Sequence, residues 1–327
     1  MTAFQNTCLL ALNNLPVPRE RLLALAGVDF DDVLHVARRV RSRYHHAFVS
    51  CCGIVNARSG RCGEDCAFCA QSALHKTKIA SYPALSPAKL EAAVRKVAQM
   101  PVDHIGIITS GRALVRGAER DRLLKGIRAA RAAVRVPIHV SLGSLDDESL
   151  TVLKDLGVTR IHHNLETSRR FFPKICTTHP YDERVAMIRR ALAAGFEVCC
   201  GGLFGLGETW EDRVDLALEL RSLGVRSVPL NFLAPIPGTP LAGQPLLPPR
   251  EALRIIALFR IALPTVDLRV CGGRPLILRD LQSWIFRAGA TSMMIGDYLT
   301  TTGRAVSEDL QMLADLGLTT ITVPELL

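Results

Sequence analysis

Along most of its 327 residues the chain alternates short apolar runs with amphipathic stretches, and that alternation constrains its fold more than any other feature. The apolar runs at 46–55, 103–109, 137–142, 159–165, 196–204, 227–232, 266–270 and 291–295 predict strands. Helical patterns fall between them, as at 87–98, 121–134, 182–194, 211–223 and 249–263. Strands alternating with helices imply parallel βαβ units. Gly157, Gly195 and Gly224 stand where those helices should end, the usual place of a C-terminal cap. Eight such units point to a closed (β/α)8, TIM-type barrel, for which the length is ordinary. An open dinucleotide fold would need G-x-G-x-x-G after a strand, and the glycines at 202–207 have the wrong spacing. We expect one domain: a short helical N-terminal extension over 1–45, the barrel over 46–300 and a C-terminal extension over 301–327.

Composition removes several classes of function. The longest nearly apolar stretch, 191–207, is broken by Glu197 and rich in glycine, so no membrane span is expected. Ten cysteines without a secretory signal lead us to expect a reducing, cytoplasmic setting. The net charge of +9 invites a nucleic-acid partner. The arginines, however, scatter over predicted helix surfaces, as at Arg128, Arg131 and Arg135. Aromatics are only 5%, too few for a base-stacking platform, so no nucleic acid is expected.

Just past the first predicted strand stand three cysteines in the pattern Cys62-x3-Cys66-x2-Cys69. Three thiolates on one short loop hold three corners of a cubane iron–sulfur cluster and leave its fourth iron open. A structural zinc site needs four ligands, usually as two pairs, and no second pair is present. A disulfide framework suits short secreted chains. A ferredoxin-type carrier closes its cluster with a fourth cysteine. The triplet therefore points to chemistry at an open iron. Other polar residues fall at the same ends of the predicted strands, where barrels of this kind keep their catalytic groups. Thr109 to Arg112 follow the second strand, Asn164 and Glu166 the fourth, and Gly205 to Glu208 the fifth. Asn231 closes the sixth strand and Arg269 the seventh.

This constellation resembles the radical S-adenosylmethionine enzymes. Phe68 matches the aromatic that the superfamily keeps before its last cysteine, and the run 201–208, with Gly205, resembles its glycine-rich adenine motif. From about residue 45 to 317 the chain resembles one family more closely, biotin synthase. The resemblance is carried by 59–72, 163–168, 198–208, 228–233, 238–241, 288–290 and 299–302. It implies sulfur insertion between two carbons of dethiobiotin. The cofactors implied are a [4Fe–4S] cluster, S-adenosyl-L-methionine as source of a 5′-deoxyadenosyl radical, and an auxiliary iron–sulfur cluster that donates the sulfur. A flavodoxin or ferredoxin electron donor and a homodimer are implied as well. Residue by residue, Asn164 and Glu166 match the positions that hold the ribose, and alternation along a strand puts both on one face. Asn164 and Asn231 match the pair that hydrogen-bonds the ureido ring, and an amide offers the donor and acceptor a urea needs. Thr300 and Thr301 match the residues at the substrate carboxylate, and Ser110, Gly111 and Arg184 the methionyl end. By themselves, Asn231 also reads as a helix N-cap and the threonines as a polar turn.

The chain departs from the family at the auxiliary cluster. The usual cysteines of strands two and three fall near Gly106 or Ile107 and at His139, while Cys199 and Arg269 remain. Cys52 in strand one and Cys271, two residues past Arg269, are available instead. Alternation lets only one of Cys51 and Cys52, and one of Cys199 and Cys200, face inward. We therefore expect a relocated auxiliary cluster, [2Fe–2S] or of another nuclearity, on Cys52, Cys199, Cys271 and Arg269. Cys176 and His139 are further ligand candidates, and Cys8 has no visible role. Small buried hydrophobes are the competing reading of these cysteines. Two other functions stay open: a radical enzyme of the same subgroup with one cluster, acting in carbon-skeleton rearrangement or metallocofactor maturation, and an iron–sulfur electron-transfer protein.

Overall fold

The computed structural model describes residues 2–45 and 47–320. His46, at the start of the first predicted strand, and 321–327 of the expected C-terminal extension lie outside the described residues. The strands are β1 (Phe48–Arg58), β2 (His104–Thr109), β3 (Ile138–Ser141), β4 (Arg160–His162) and β5 (Glu197–Cys199). They continue with β6 (Gly202–Phe204), β7 (Ser227–Phe232), β8 (Asp267–Val270), β9 (Ser292–Met294) and β10 (Thr319–Thr320). All pair in parallel, and β9 returns to β1 through Ser50↔Ser292 and Cys52↔Met294, which closes the barrel. The short β10 adds outside the ring, at the start of β1.

The fifth barrel position is the one the apolar pattern read as a single strand and the structure divides in two. The break at Cys200 and Gly201 lies opposite Pro229, which has no N–H for a ladder. Here the chain also runs against its neighbours. A Cβ on Gly201 would sit 1.9 Å from the Pro229 carbonyl oxygen, and one on Gly202 2.8 Å from that of Glu166. Only glycine permits that approach.

Helices connect the strands as expected, with caps that explain their starts. Ser86 accepts from the Lys89 N–H, and Pro87 follows it at the head of Pro87–Ala98. Thr209 and Asp212 form a capping box for Trp210–Ser222. Asp147–Asp155, Arg274–Leu278, Trp284–Arg287 and Val306–Asp315 fall outside the predicted patterns; the first is short and capped by Asp146. The N-terminal extension is helical, as Ala3–Leu12, Arg19–Ala24 and Phe30–Tyr44. Its last helix packs on Pro249–Ala262, which explains why the latter is buried on nearly every side. The fully buried Arg260 there donates to the carbonyls of Gly289, Leu263 and Pro264. Among the described residues no helix is long and apolar enough to cross a membrane.

Candidate active site

The loop after β1 carries the cysteine triplet, and backbone bonds fold it back on itself. The Cys62 N–H donates to the Gln71 carbonyl, the Ala73 N–H to that of Cys62, and the Cys69 N–H to that of Cys66. Arg61 takes a positive φ of 55°, which turns the chain into the first cysteine. Two backbone bonds reach beyond the loop, Ala67 N–H to the Ile175 carbonyl at 2.8 Å and Leu241 N–H to that of Ala67 at 3.3 Å, and the Asp65 carboxylate adds a side-chain tie to Thr177 N–H at 2.9 Å. Cys66 is buried, Cys62 and Cys69 are half-buried, and all three line one cavity of about 460 Å³. Burial raises the Cys69 thiol above its ordinary range. Three free thiols facing one hollow suit a cluster whose remaining iron faces the same hollow.

Deeper in that cavity the barrel wall supplies a second set: Cys52 from β1, Cys199 from β5, Arg269 from β8 and Cys271 just after it. Cys52 and Cys271 pack against each other and Met294, and the Cys271 thiol donates to the Arg269 carbonyl at 3.8 Å. Cys51 and Cys200 belong to the core instead, as strand alternation requires. The neighbouring Cys271 thiol, opposed by burial and reinforced by the Arg269 charge, holds the Cys52 thiol well below its usual range. Thiolate is the form that binds iron. Arg269 is 2% exposed; its Nη2 donates to Ser50 Oγ and Asp267 Oδ2, each at 2.9 Å. Its Nε and Nη1 have no partner, although buried donors almost always find one. Burial opposes ionisation of Asp267, yet the Arg269 charge and the Ser292 and Thr291 hydroxyls keep its carboxyl well below the usual range. Three thiols beside two unsatisfied arginine donors fit an anionic iron–sulfur group.

His139, the other ligand candidate, is not part of this wall. It stacks on His104 at 4.4 Å and lies 5.7 Å from His162, ring centre to ring centre. Burial and the neighbouring histidines push its proton affinity far down.

The residues matched to cofactor and substrate mostly share the same cavity. Phe68, Ser110, Gly111, Asn164, Glu166, Arg184, Asn231, Thr300 and Thr301 all line it. Gly205 does not. Its N–H is taken by the Glu208 carboxylate at 3.1 Å, and its φ of 91° serves the turn after β6. The strand argument for Asn164 and Glu166 also fails in detail, because β4 ends at His162. Glu166 reaches the cavity through a left-handed backbone, φ 70°, that a non-glycine residue adopts only at a cost. Burial raises its carboxyl, against the nearby charge of Arg184. Asn231 is fixed rather than capping a helix: Oδ1 accepts from Gly272 N–H at 3.0 Å and Nδ2 donates to the Gly202 carbonyl at 3.2 Å. One amide hydrogen stays available to a ligand. Cys176, the further candidate, sits with its Sγ 3.7 Å from that of Cys66. Glu64 and His179 also line the cavity and escaped the sequence reading. Their signals were Glu64 between the first two cysteines and His179 three residues past Cys176.

Comparison with known proteins agrees with this geometry. The Radical SAM superfamily matches residues 57–220, and the Biotin and Thiamin Synthesis associated domain matches residues 229–319. A biotin synthase of Geobacter sulfurreducens is 51% identical over 298 residues, 91% of each chain. The chain belongs to the biotin synthase family. A biotin synthase of Heliobacterium modesticaldum is 50% identical over the same shares of both chains. Among solved structures, methylornithine synthase superposes with a TM-score of 0.83 at 18% identity, covering 96% of this chain and 97% of the other. An [FeFe]-hydrogenase maturase of Carboxydothermus hydrogenoformans gives 0.81 at 17%, covering 98% and 80%. Such distant likenesses speak for the barrel alone, and the family membership makes the chain a radical S-adenosylmethionine enzyme.

Proposed function

We propose that the chain converts dethiobiotin to biotin, with Cys62, Cys66 and Cys69 holding the radical-generating [4Fe–4S] cluster and Cys52, Cys199, Cys271 and Arg269 holding an auxiliary sulfur-donating one. The observation that carries this reading is the sharing of one cavity by two thiol sets, with two Arg269 donors unsatisfied beside the deeper set. When bound, these groups supply the electron that cleaves S-adenosylmethionine and the sulfur that enters the product. The protein's own part is placement. Asn164, Glu166, Ser110, Gly111 and Arg184 orient S-adenosylmethionine along the cavity wall. Asn231 offers its free amide hydrogen to the ureido carbonyl, and the 300–301 turn receives the substrate carboxylate. The apolar Ile54, Met294 and Phe232 around them keep water from a reactive radical. A flavodoxin or ferredoxin as reductant and a homodimer complete the proposal, by likeness to the family.

The test is an anaerobic reaction with dithionite, S-adenosylmethionine and dethiobiotin. Biotin and 5′-deoxyadenosine together support the reading. Deoxyadenosine without biotin would reject the substrate but keep the radical chemistry. Iron and sulfide counting tests the second site: about four irons per chain and no more would remove the auxiliary cluster.

A further inference from the structure

We infer that Cys176 is a positioning residue for the radical cluster, donating its S–H to the Cys66 thiolate at the end of a relay that starts at Arg184. The inference rests on the triplet binding iron as proposed above. Cys176 and Cys66 are both buried, and their sulfurs lie 3.7 Å apart, within range of a sulfur hydrogen bond. In a cubane each cysteine serves its own iron, so a sulfur this close to Cys66 is a neighbour of the ligand rather than a further ligand. Without metal, Cys66 donates to Cys176. Ligation releases the Cys66 proton to solvent, and Cys176 is then the sulfur of the pair with a hydrogen to give.

The rest of the relay follows from donor counting. Arg184 Nε donates to His179 Nε2 at 3.1 Å, and a guanidinium has no lone pair to offer in return. His179 Nε2 is therefore an acceptor, and the ring carries its hydrogen on Nδ1. That nitrogen faces Cys176 Sγ at 3.3 Å and the Glu64 carboxylate. Thr178 Oγ1 fixes the same carboxylate at 2.6 Å. The carboxylate is the nearer acceptor of the ring N–H and fixes the ring against the Cys176 sulfur, and the thiol has the charged Cys66 sulfur as acceptor for its own hydrogen. At the other end, Arg184 Nη1 holds the Asn164 carbonyl at 2.8 Å and lies 3.8 Å from Glu166. The relay thus joins the wall assigned to S-adenosylmethionine to a sulfur of the cluster that must reduce it. A hydrogen bond to a cluster sulfur disperses its charge and favours the reduced state. Glu64, Cys176 and His179 also stand close enough for a divalent cation, but one ring nitrogen serving both other groups describes hydrogen bonding better than shared ligation.

The experiment compares anaerobically reconstituted wild type, Cys176→Ala and Cys176→Ser by redox titration. It follows the electron paramagnetic resonance signal of the reduced cluster that S-adenosylmethionine perturbs. Cys176→Ala shifts the midpoint potential to more negative values, and Cys176→Ser, which keeps a hydroxyl donor, recovers part of the shift. Identical potentials in all three overturn the relay and leave the radical cluster standing. Loss of the signal in both variants, or zinc bound by wild type and lost with Cys176, also overturns it in favour of a ligand. A wild type that takes up no four-iron cluster removes the triplet reading itself, and the relay with it.

Discussion

Cys62, Cys66 and Cys69 come from one loop, whereas Cys52, Cys199 and Cys271 come from three separate parts of the barrel wall. The loop holds its cysteines by their own spacing and a few backbone bonds, and two of them stay half-exposed. The wall holds its set by strand register, and there the cysteines are 4%, 0% and 6% exposed. A one-residue slip of β5 would replace Cys199 by Cys200 in the cavity. On the proposed division of labour, chemistry that must meet an outside reductant and cofactor sits on the more exposed loop. On the same proposal, chemistry that must be shielded sits on the wall, whose assembly depends on the whole fold.

The largest effect expected separates the two sets by product. Cys66→Ala should lower 5′-deoxyadenosine formation by more than about 100-fold, beyond the loss typical of groups that merely support a metal ligand. Cys199→Ala should keep deoxyadenosine formation and lose biotin. Quantifying both products in one anaerobic reaction decides it. If Cys199→Ala still makes biotin at the wild-type rate, the wall set has no part in sulfur donation.

Next in size is the dependence of the wall on distant packing. Arg274 follows Cys271 by three residues, and its fully buried guanidinium grips both oxygens of Asp309 in the helix Val306–Asp315. Asp309→Ala leaves that cation buried without its carboxylate, a change that costs about 3–5 kcal/mol. Denaturant unfolding of wild type and variant measures it. Iron analysis should show the wall site losing metal before the loop site does. Equal losses from both would mean that the wall is no more dependent on the fold than the loop.

The same contrast governs what could be read from the sequence. The triplet was legible because its residues are neighbours in the chain, and the barrel because apolar alternation is a local signal. The wall set was reachable by counting alternate residues along strands, and Cys52, Cys199 and Cys271 do line the cavity. Alternation failed where the backbone leaves the strand. Asn164 and Glu166 lie past the end of β4, and a positive φ that no pattern announces turns Glu166 inward. Gly205 was drawn to the site by a motif, but its turn is spent on Glu208. Glu64 and His179 stayed hidden because each reads as an ordinary polar residue until folding joins two segments 115 positions apart.

The smallest effect expected tests whether the cavity's surroundings resist acid as its burial implies. Burial first, and the nearby Arg184 charge second, lower His163 to about 3; burial and His104 do the same to His162. His162 pairs across β4 and β5 with Cys199 on the wall, while His163 faces the Arg184 side. In the unfolded chain both take up a proton near pH 6.5. The folded state binds fewer protons below that pH, so its stability is full above about 6.5 and falls as pH drops toward about 3. Each histidine contributes a slope of up to about 1.4 kcal/mol per pH unit within that window. Urea unfolding of the metal-free protein between pH 7 and 5 should therefore be steeper in wild type than in His163→Gln, by one histidine's share. His162→Gln should flatten the curve by a like amount, because solvent exclusion acts on both sides of the cavity. Variant curves parallel to wild type would show that protons reach these rings in the folded state, and that the shielding assigned to the wall does not extend to β4.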